Sequence, residues 1–140
     1  MPGVVTRREQ LDVMVALAND ARQAGESVEP GIVRALGDPD RRLVAYGTLR
    51  PGEVNEDVLA DARGTWTSAT VRGVVGEWHG YPMLTPSDAA APVAVMVLTS
   101  DDLPRLWPRL DRFEGPAYRR AWIVYEHAEG FGVGSVYVEA

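Results

Sequence analysis

Six consecutive apolar residues, Val93-Ala94-Val95-Met96-Val97-Leu98, constrain the fold of this chain most. The run is apolar on both faces, so it reads as a central strand of a sheet. Its neighbours are legible on either side. Leu43-Val44-Ala45 has strand character, and so do residues 68–78, 118–127 and 131–139. Each is rich in β-branched or aromatic residues and bounded by turn chemistry. Glu129-Gly130 falls where the last two strands would turn as a hairpin. Residues 101–113 read as a helix carrying Leu103, Leu106, Trp107, Leu110 and Phe113 on one side. Pro104 suits a first turn, whereas Pro108 removes a backbone bond and should kink the helix. Residues 55–62 can form a further short helix. Five or six strands with few helices predict the α+β class, as a small closed or nearly closed mixed sheet.

The first 40 residues have a different texture. Thr6-Arg7-Arg8-Glu9 is a capping-box pattern, with Thr6 as N-cap. Leu11, Met14, Val15, Ala18 and Ala21 follow at helical spacing, and Gly25 stops the run. Pro30 can open a second short helix holding Ile32, Val33 and Leu36. Gly37-Asp38-Pro39-Asp40 reads as a turn. The expectation is a helical hairpin over residues 1–40, attached to a body over residues 41–140. Packing against an apolar face is the commoner fate of such helices. The sharper alternatives are a lid or the contact of a homodimer.

Composition removes several classes of function. With 20 acids against 14 bases the net charge is −6, and all 14 bases are arginine. Scattered arginines on an acidic chain offer nucleic acid no basic stripe. The absence of lysine removes Schiff-base chemistry. The absence of cysteine removes disulfides, thiol nucleophiles and thiolate metal sites, which fits a reducing cytoplasm. His79 and His127 stand alone, without the spacing of a metal site. No apolar run approaches the roughly 18 residues of a membrane span. No cofactor is called for.

Two strings carry candidate chemistry. In Tyr46-Gly47-Thr48-Leu49-Arg50-Pro51-Gly52 a strand is broken at once by glycine and proline. Such an exit exposes successive backbone N–H groups, which suit a carboxylate or a developing oxyanion. In Leu110-Asp111-Arg112-Phe113-Glu114-Gly115-Pro116-Ala117-Tyr118-Arg119-Arg120 the carboxylate of Glu114 sits between a bulky apolar residue and a glycine. Taken alone, a glutamate just past a helix end is most often a solvated charge.

Together the strings resemble the γ-glutamylcyclotransferase-like family (the AIG2-like, γ-glutamylamine cyclotransferase type). The matching positions are Tyr46, Gly47, Thr48, Leu49 and Gly52, then Leu110, Asp111, Glu114, Gly115, Tyr118 and Arg120. Asn55 and Leu59 also fall where members often carry Asn and Leu, and Gly80-Tyr81-Pro82 resembles the family's aromatic-proline turn. The resemblance covers residues 42–139 and implies a compact β-barrel with helices outside it. It also implies an enzyme that cyclises a γ-glutamyl amine or γ-glutamyl amino acid to 5-oxoproline, without metal or nucleotide. Glu114 occupies the family's acid/base position, and the backbone of Tyr46, Gly47, Thr48 and Leu49 would hold the substrate. Burial would raise the pKa of Glu114 toward neutrality. Tyr118 would bind the substrate or Glu114, or else anchor the strand start. Arg120 would take a substrate carboxylate, or else be an exposed strand arginine. Asp111 is expected to cap or to pair with an arginine. The rival reading is a non-catalytic small-acid-binding or regulatory module on the same fold.

Overall fold

The computed structural model describes residues 7–47, 49–53 and 56–140. The N-terminal hairpin is present as α1 (Arg7–Gln23) and α2 (Pro30–Ala35). Thr6, the expected cap of α1, lies outside the described residues. Glycine ends both helices in the same way. Gly25 N–H bonds Arg22 O and Glu26 N–H bonds Ala21 O, while Gly37 N–H bonds Arg34 O and Asp38 N–H bonds Val33 O. Gly25 at φ 80° and Gly37 at φ 75° supply the left-handed residue that this closure requires.

Six strands follow: β1 (Arg42–Ala45), β2 (Thr65–Trp78), β3 (Tyr81–Pro86), β4 (Pro92–Thr99), β5 (Tyr118–His127) and β6 (Gly130–Glu139), with α3 (Leu103–Glu114) between β4 and β5. β1, β4, β2, β5 and β6 close into a five-strand barrel. It is mixed, because β6 runs parallel to β1 and to β3 while its pairing with β5 is antiparallel. β4 lies between β1 and β2, as its two apolar faces predicted. Its inward residues Val95 and Val97 meet Val44, Val71, Leu84 and Val136 in the barrel interior. Its outward Leu98 joins Leu103, Leu106, Trp107 and Leu110 of α3 in a second cluster. Pro108 stands inside α3, and the helix runs on to Glu114. Of the helix expected over residues 55–62, a 3₁₀ turn over Glu56–Leu59 is described, and Asn55 lies outside the described residues.

β3 is the element that the sequence did not announce. Gly80-Tyr81-Pro82 reads as a turn, but the turn is His79-Gly80, with both residues at positive φ. Trp78 pairs with Tyr81, and Tyr81 and Pro82 begin the strand. Two left-handed residues suit a tight hairpin. The strand persists through its two prolines because hairpin pairing and the barrel seam hold it, which local propensity does not report.

α1 packs, as the commoner reading expected. Leu11, Val15 and Ala18 lie against Trp122, Val124 and Val133 on the outer face of β5 and β6. A polar contact fixes the register. Asn19 Nδ2 donates to Trp122 O at 2.9 Å, and Trp122 N–H donates to Asn19 Oδ1 at 2.9 Å. Among the described residues β5 pairs with β2 only at Thr70↔Glu126, so Asn19 stands in for a missing strand at this edge. Asn19→Ala strands both backbone groups of Trp122 and is expected to cost about 2 kcal/mol in urea unfolding. Leu17→Ala on the exposed side of α1 should stay within about 0.5 kcal/mol of the parent. Equal losses in the two variants would show that Asn19 does not fix the helix.

Candidate active site

The site starts where β1 leaves the barrel. Tyr46 turns inward, and its hydroxyl is spent on backbone. It donates to Tyr137 O at 2.6 Å and accepts from Leu84 N–H at 3.1 Å. One phenol thereby staples β1 to β6 and β3. Burial, opposed by the Leu84 bond and helped by Tyr118 and Glu114, pushes its pKa up to about 12. Gly47 follows. A Cβ there would stand 3.1 Å from Pro82 Cγ, so glycine lets the β2–β3 hairpin close on the strand exit. The chain then turns, with Arg50 N–H and Arg50 Nε both on Gly47 O and Glu53 N–H on Arg50 O. Gly52 at φ 82° is the residue that a type II turn over Pro51 needs. Leu49 is buried in the cluster beneath α3. Thr48 lies outside the described residues.

The opposite wall is the end of α3. Leu106, Trp107 and Leu110 bury its inner face, which aims the last turn at the same end of the barrel. Gly115 at φ 81° ends the helix, and its N–H closes on Asp111 O. Glu114 is the last helical residue and is partly buried. Burial alone pushes its carboxyl from the ordinary 4.5 up to about 7. Among the described residues no hydrogen bond or ion pair reaches that carboxylate, so nothing offsets the desolvation of the charge.

Between the walls lies a cavity of about 370 Å³. Tyr46, Gly47 and Leu49 line it from the strand exit, and Phe113 and Glu114 from α3. Trp78, Tyr81 and Pro82 of the hairpin complete it with Tyr118 and Tyr137. Glu114 is the one charged side chain among the described lining residues. Tyr81 and Pro82 of the Gly80-Tyr81-Pro82 string therefore line the pocket as the start of a strand. Tyr118 fills its second expected role, since its hydroxyl donates to Pro82 O at 2.9 Å and ties β5 to the hairpin. That oxygen can still accept a hydrogen bond from a ligand. Trp78, Phe113 and Tyr137 were not legible as site residues. Phe113 reads from the sequence as part of the apolar side of its helix, and both it and Trp78 stay more than 40 % exposed at the cavity mouth.

Arg120 requires a correction. It does not line the cavity. Its side chain turns to Asp111 and Asp40, with Nε donating to Asp111 Oδ1 at 3.1 Å and another nitrogen 3.5 Å from Asp40. It is no solvated arginine either, being 19 % exposed and stacked 4.4 Å over Trp107. Asp111 pairs with an arginine as expected. Among the described residues no three His, Cys, Asp or Glu side chains gather in a way that could hold a metal ion. No described helix is long and apolar enough to cross a membrane.

A closed five-strand barrel with flanking helices has counterparts among known proteins. The family model "gamma-glutamyl cyclotransferase, AIG2-like" matches residues 43–139, and the chain belongs to that family. YkqA from Bacillus subtilis is 25 % identical, with a TM-score of 0.59 over 71 % of this chain, but the match spans only 35 % of YkqA. A protein of Arabidopsis thaliana is 25 % identical, with a TM-score of 0.55 over 71 % of this chain and 68 % of its own. An AIG2-like protein (GGACT) from Mus musculus shares the fold at 21 % identity and a TM-score of 0.56, over 71 % of this chain and 77 % of its own. Comparison with curated protein sequences returned no match.

The buried acid has a signature in stability. In the folded protein Glu114 holds its proton up to about pH 7, whereas the unfolded chain releases it near the ordinary 4.5. Below pH 4.5 both states are protonated and no penalty arises. Between these values the unfolded state ionises first, and the folded state loses ground as pH rises. Glu114→Gln removes this effect. Its stability advantage over the parent should grow from pH 4.5 to 7 and level off above, at something on the order of 3 kcal/mol. Urea unfolding of both proteins across that range checks it, and a difference that is flat with pH would place the carboxylate in solvent.

Proposed function

We propose that this protein cyclises a γ-glutamyl amide to 5-oxoproline and releases the amine, with Glu114 as the single proton carrier. One observation carries the reading: a desolvated carboxyl, without a hydrogen-bond or ion-pair partner among the described residues, shares one small cavity with the strand exit at Gly47 and Leu49. Membership of a γ-glutamyl cyclotransferase family supports it.

The reaction suits such a site. The α-amine of the γ-glutamyl group attacks its own γ-carbonyl carbon. A C–N bond closes the five-membered lactam and the original amide C–N bond breaks. Both reacting groups belong to one molecule, so the enzyme need only fold the chain into the attack conformer. The ammonium loses two protons on its way to the lactam N–H, one before attack and one from the tetrahedral adduct, and the departing nitrogen takes up two to leave as an ammonium. A carboxyl balanced near pH 7 can accept and deliver them one at a time, so no net proton is exchanged with solvent. The carbonyl oxygen becomes an oxyanion at the tetrahedral stage. Backbone N–H groups of the strand exit serve it as donors, each worth about 3 kcal/mol where such groups have been removed in other enzymes. The substrate's α-carboxylate takes further backbone donors there, since the described lining holds no cation. Tyr118 accepts from the ammonium and steers it toward Glu114.

Incubation with a panel of γ-glutamyl amines and γ-glutamyl amino acids, with mass detection of 5-oxoproline, is the test. Glu114→Gln should lower the rate on the best substrate by roughly 100- to 10,000-fold while the protein stays folded. In the parent, kcat/KM should climb with pH and turn over near 7, where Glu114 becomes ionised. Retention of most of the rate in the variant would remove the proton-carrier role.

A further inference from the structure

Two parts of the sequence that bear no obvious relation meet in space behind the cavity. Asp111 lies one helical turn before Glu114 on α3, and its carbonyl takes the N–H of Gly115 that ends the helix. Its carboxylate receives three donors. Tyr137 Oη donates to Oδ1 at 2.7 Å, Arg120 Nε to Oδ1 at 3.1 Å, and a terminal nitrogen of Arg120 to Oδ2 at 3.4 Å. The Arg120 guanidinium is therefore used as a fork, the geometry in which arginine differs from lysine. Its remaining nitrogen reaches Asp40 at 3.5 Å, and its plane covers the Trp107 indole. Asp40 is itself fixed. Its carboxylate accepts Trp122 Nε1 at 3.0 Å and its carbonyl accepts Trp107 Nε1 at 2.8 Å.

We infer that Asp111 and Arg120 are positioning residues that lock the last turn of α3 to β5 and β6, and so hold Glu114 over the cavity. This rests on the function proposed above. Neither residue lines the cavity, so neither acts on a substrate directly. Their effect passes along two short paths. Asp111 is three residues from Glu114 on one helix, so fixing one fixes the other. Asp111 also holds the phenol of Tyr137, whose ring forms the cavity wall and whose carbonyl carries the Tyr46 staple. The tie is one-sided, since Arg112 on the outer face of the last turn is exposed and Phe113 stands half-exposed at the cavity mouth. Without the fork the turn has little to keep it from rotating Glu114 outward. Asp40 extends the lock to the segment that joins the N-terminal helices to β1.

The sign of the response separates this role from simple charge. The cavity walls that Glu114 shares carry uncharged rings: Tyr46 just past β1, Trp78 of β2, Tyr81 of β3, Tyr118 of β5 and Tyr137 of β6. On its own helix the nearest charged groups are Asp111 and Arg112. Were Arg120 felt only as a cation, its removal would raise the proton affinity of Glu114 or leave it alone. Were it a lock, its removal would let the carboxylate reach water, and the proton affinity would fall.

The experiment uses the full chain with Arg120→Gln, alone and combined with Glu114→Gln. The stability difference made by Glu114→Gln, followed against pH in each background, reports the ionisation of Glu114 whether or not the protein turns anything over. The midpoint should fall by roughly one pH unit or more when Arg120 is replaced. On a γ-glutamyl substrate kcat should fall about 100-fold while KM changes far less, as expected of a misplaced proton carrier. A midpoint that stays or rises, or a loss of stability uniform across pH, overturns the inference. If Arg120→Gln does not fold, Asp111→Asn is read by the same criteria. It keeps an acceptor for Tyr137 and removes the charge that the fork grips. Should the parent turn over no γ-glutamyl compound while the midpoint still falls, the lock stands and the proposed reaction fails.

Discussion

A barrel of only five strands has too little room for a side chain at every inward position, and that shortage governs the rest of this molecule. β6 meets it with glycine. A Cβ on Gly132 would stand 2.5 Å from the Tyr125 ring, and one on Gly134 would stand 2.9 Å from Val44 Cγ2. Larger neighbours occupy the space that these residues give up, and the interior closes around Val71, Leu84 and Val136 with almost no exposure. At the end where β1 departs, the filling stops. The strand breaks off at Gly47 and α3 stops at Gly115, so neither sends bulk across the opening. The cavity is the part of the barrel that packing leaves undone, and Glu114 is the acid that projects over it.

The same economy explains the polar contacts around the opening. A cavity of this kind would let its walls collapse or splay unless they were tied. The ties are made by hydroxyls and carboxylates to backbone and to each other: Tyr46 to Tyr137 O and Leu84 N, Tyr118 to Pro82 O, and Tyr137 to Asp111. Each phenol spends its one proton on structure. What remains facing the cavity is a set of aromatic faces and one carboxyl with no partner among the described residues. An unpaired acid in a low-dielectric wall is destabilising, and folding tolerates it because the surrounding ties over-determine its place.

Much of the barrel could be read from the chain because its strands are long and patterned. β4 announces itself by being apolar on both faces, and β5 and β6 by β-branched runs joined at Gly130. β3 could not be read, because Pro82 and Pro86 look like loop residues and only tertiary pairing makes them a strand. The N-terminal hairpin was visible by spacing and glycine stops, but its docking through Asn19 onto the Trp122 backbone leaves no trace in local pattern. At the site, Glu114 and the Tyr46–Leu49 exit were visible as two broken elements, although what faces them was not. Tyr137 carries no signal of its own. Arg120 shows the limit most clearly: residue type suggests a carboxylate partner, and it has two, but both belong to the protein. A sequence states what a side chain can bind and is silent on which partner lies nearer.

The position of Glu114 at the very end of α3 has a consequence that burial alone does not convey. The last carbonyls of a helix carry the negative end of its dipole. An anion there is opposed by the helix as well as by the missing water. Both effects act on the ionised form and in the same direction, so the proton is favoured. A positive partner would cancel this, and the nearby guanidinium of Arg120 is turned away toward Asp111 and Asp40 instead. The arrangement thus keeps a cation close enough to brace the helix yet occupied by other carboxylates. Bracing without neutralising is what a proton carrier needs, because a carboxylate held in an ion pair would be too weak a base to accept a proton near pH 7.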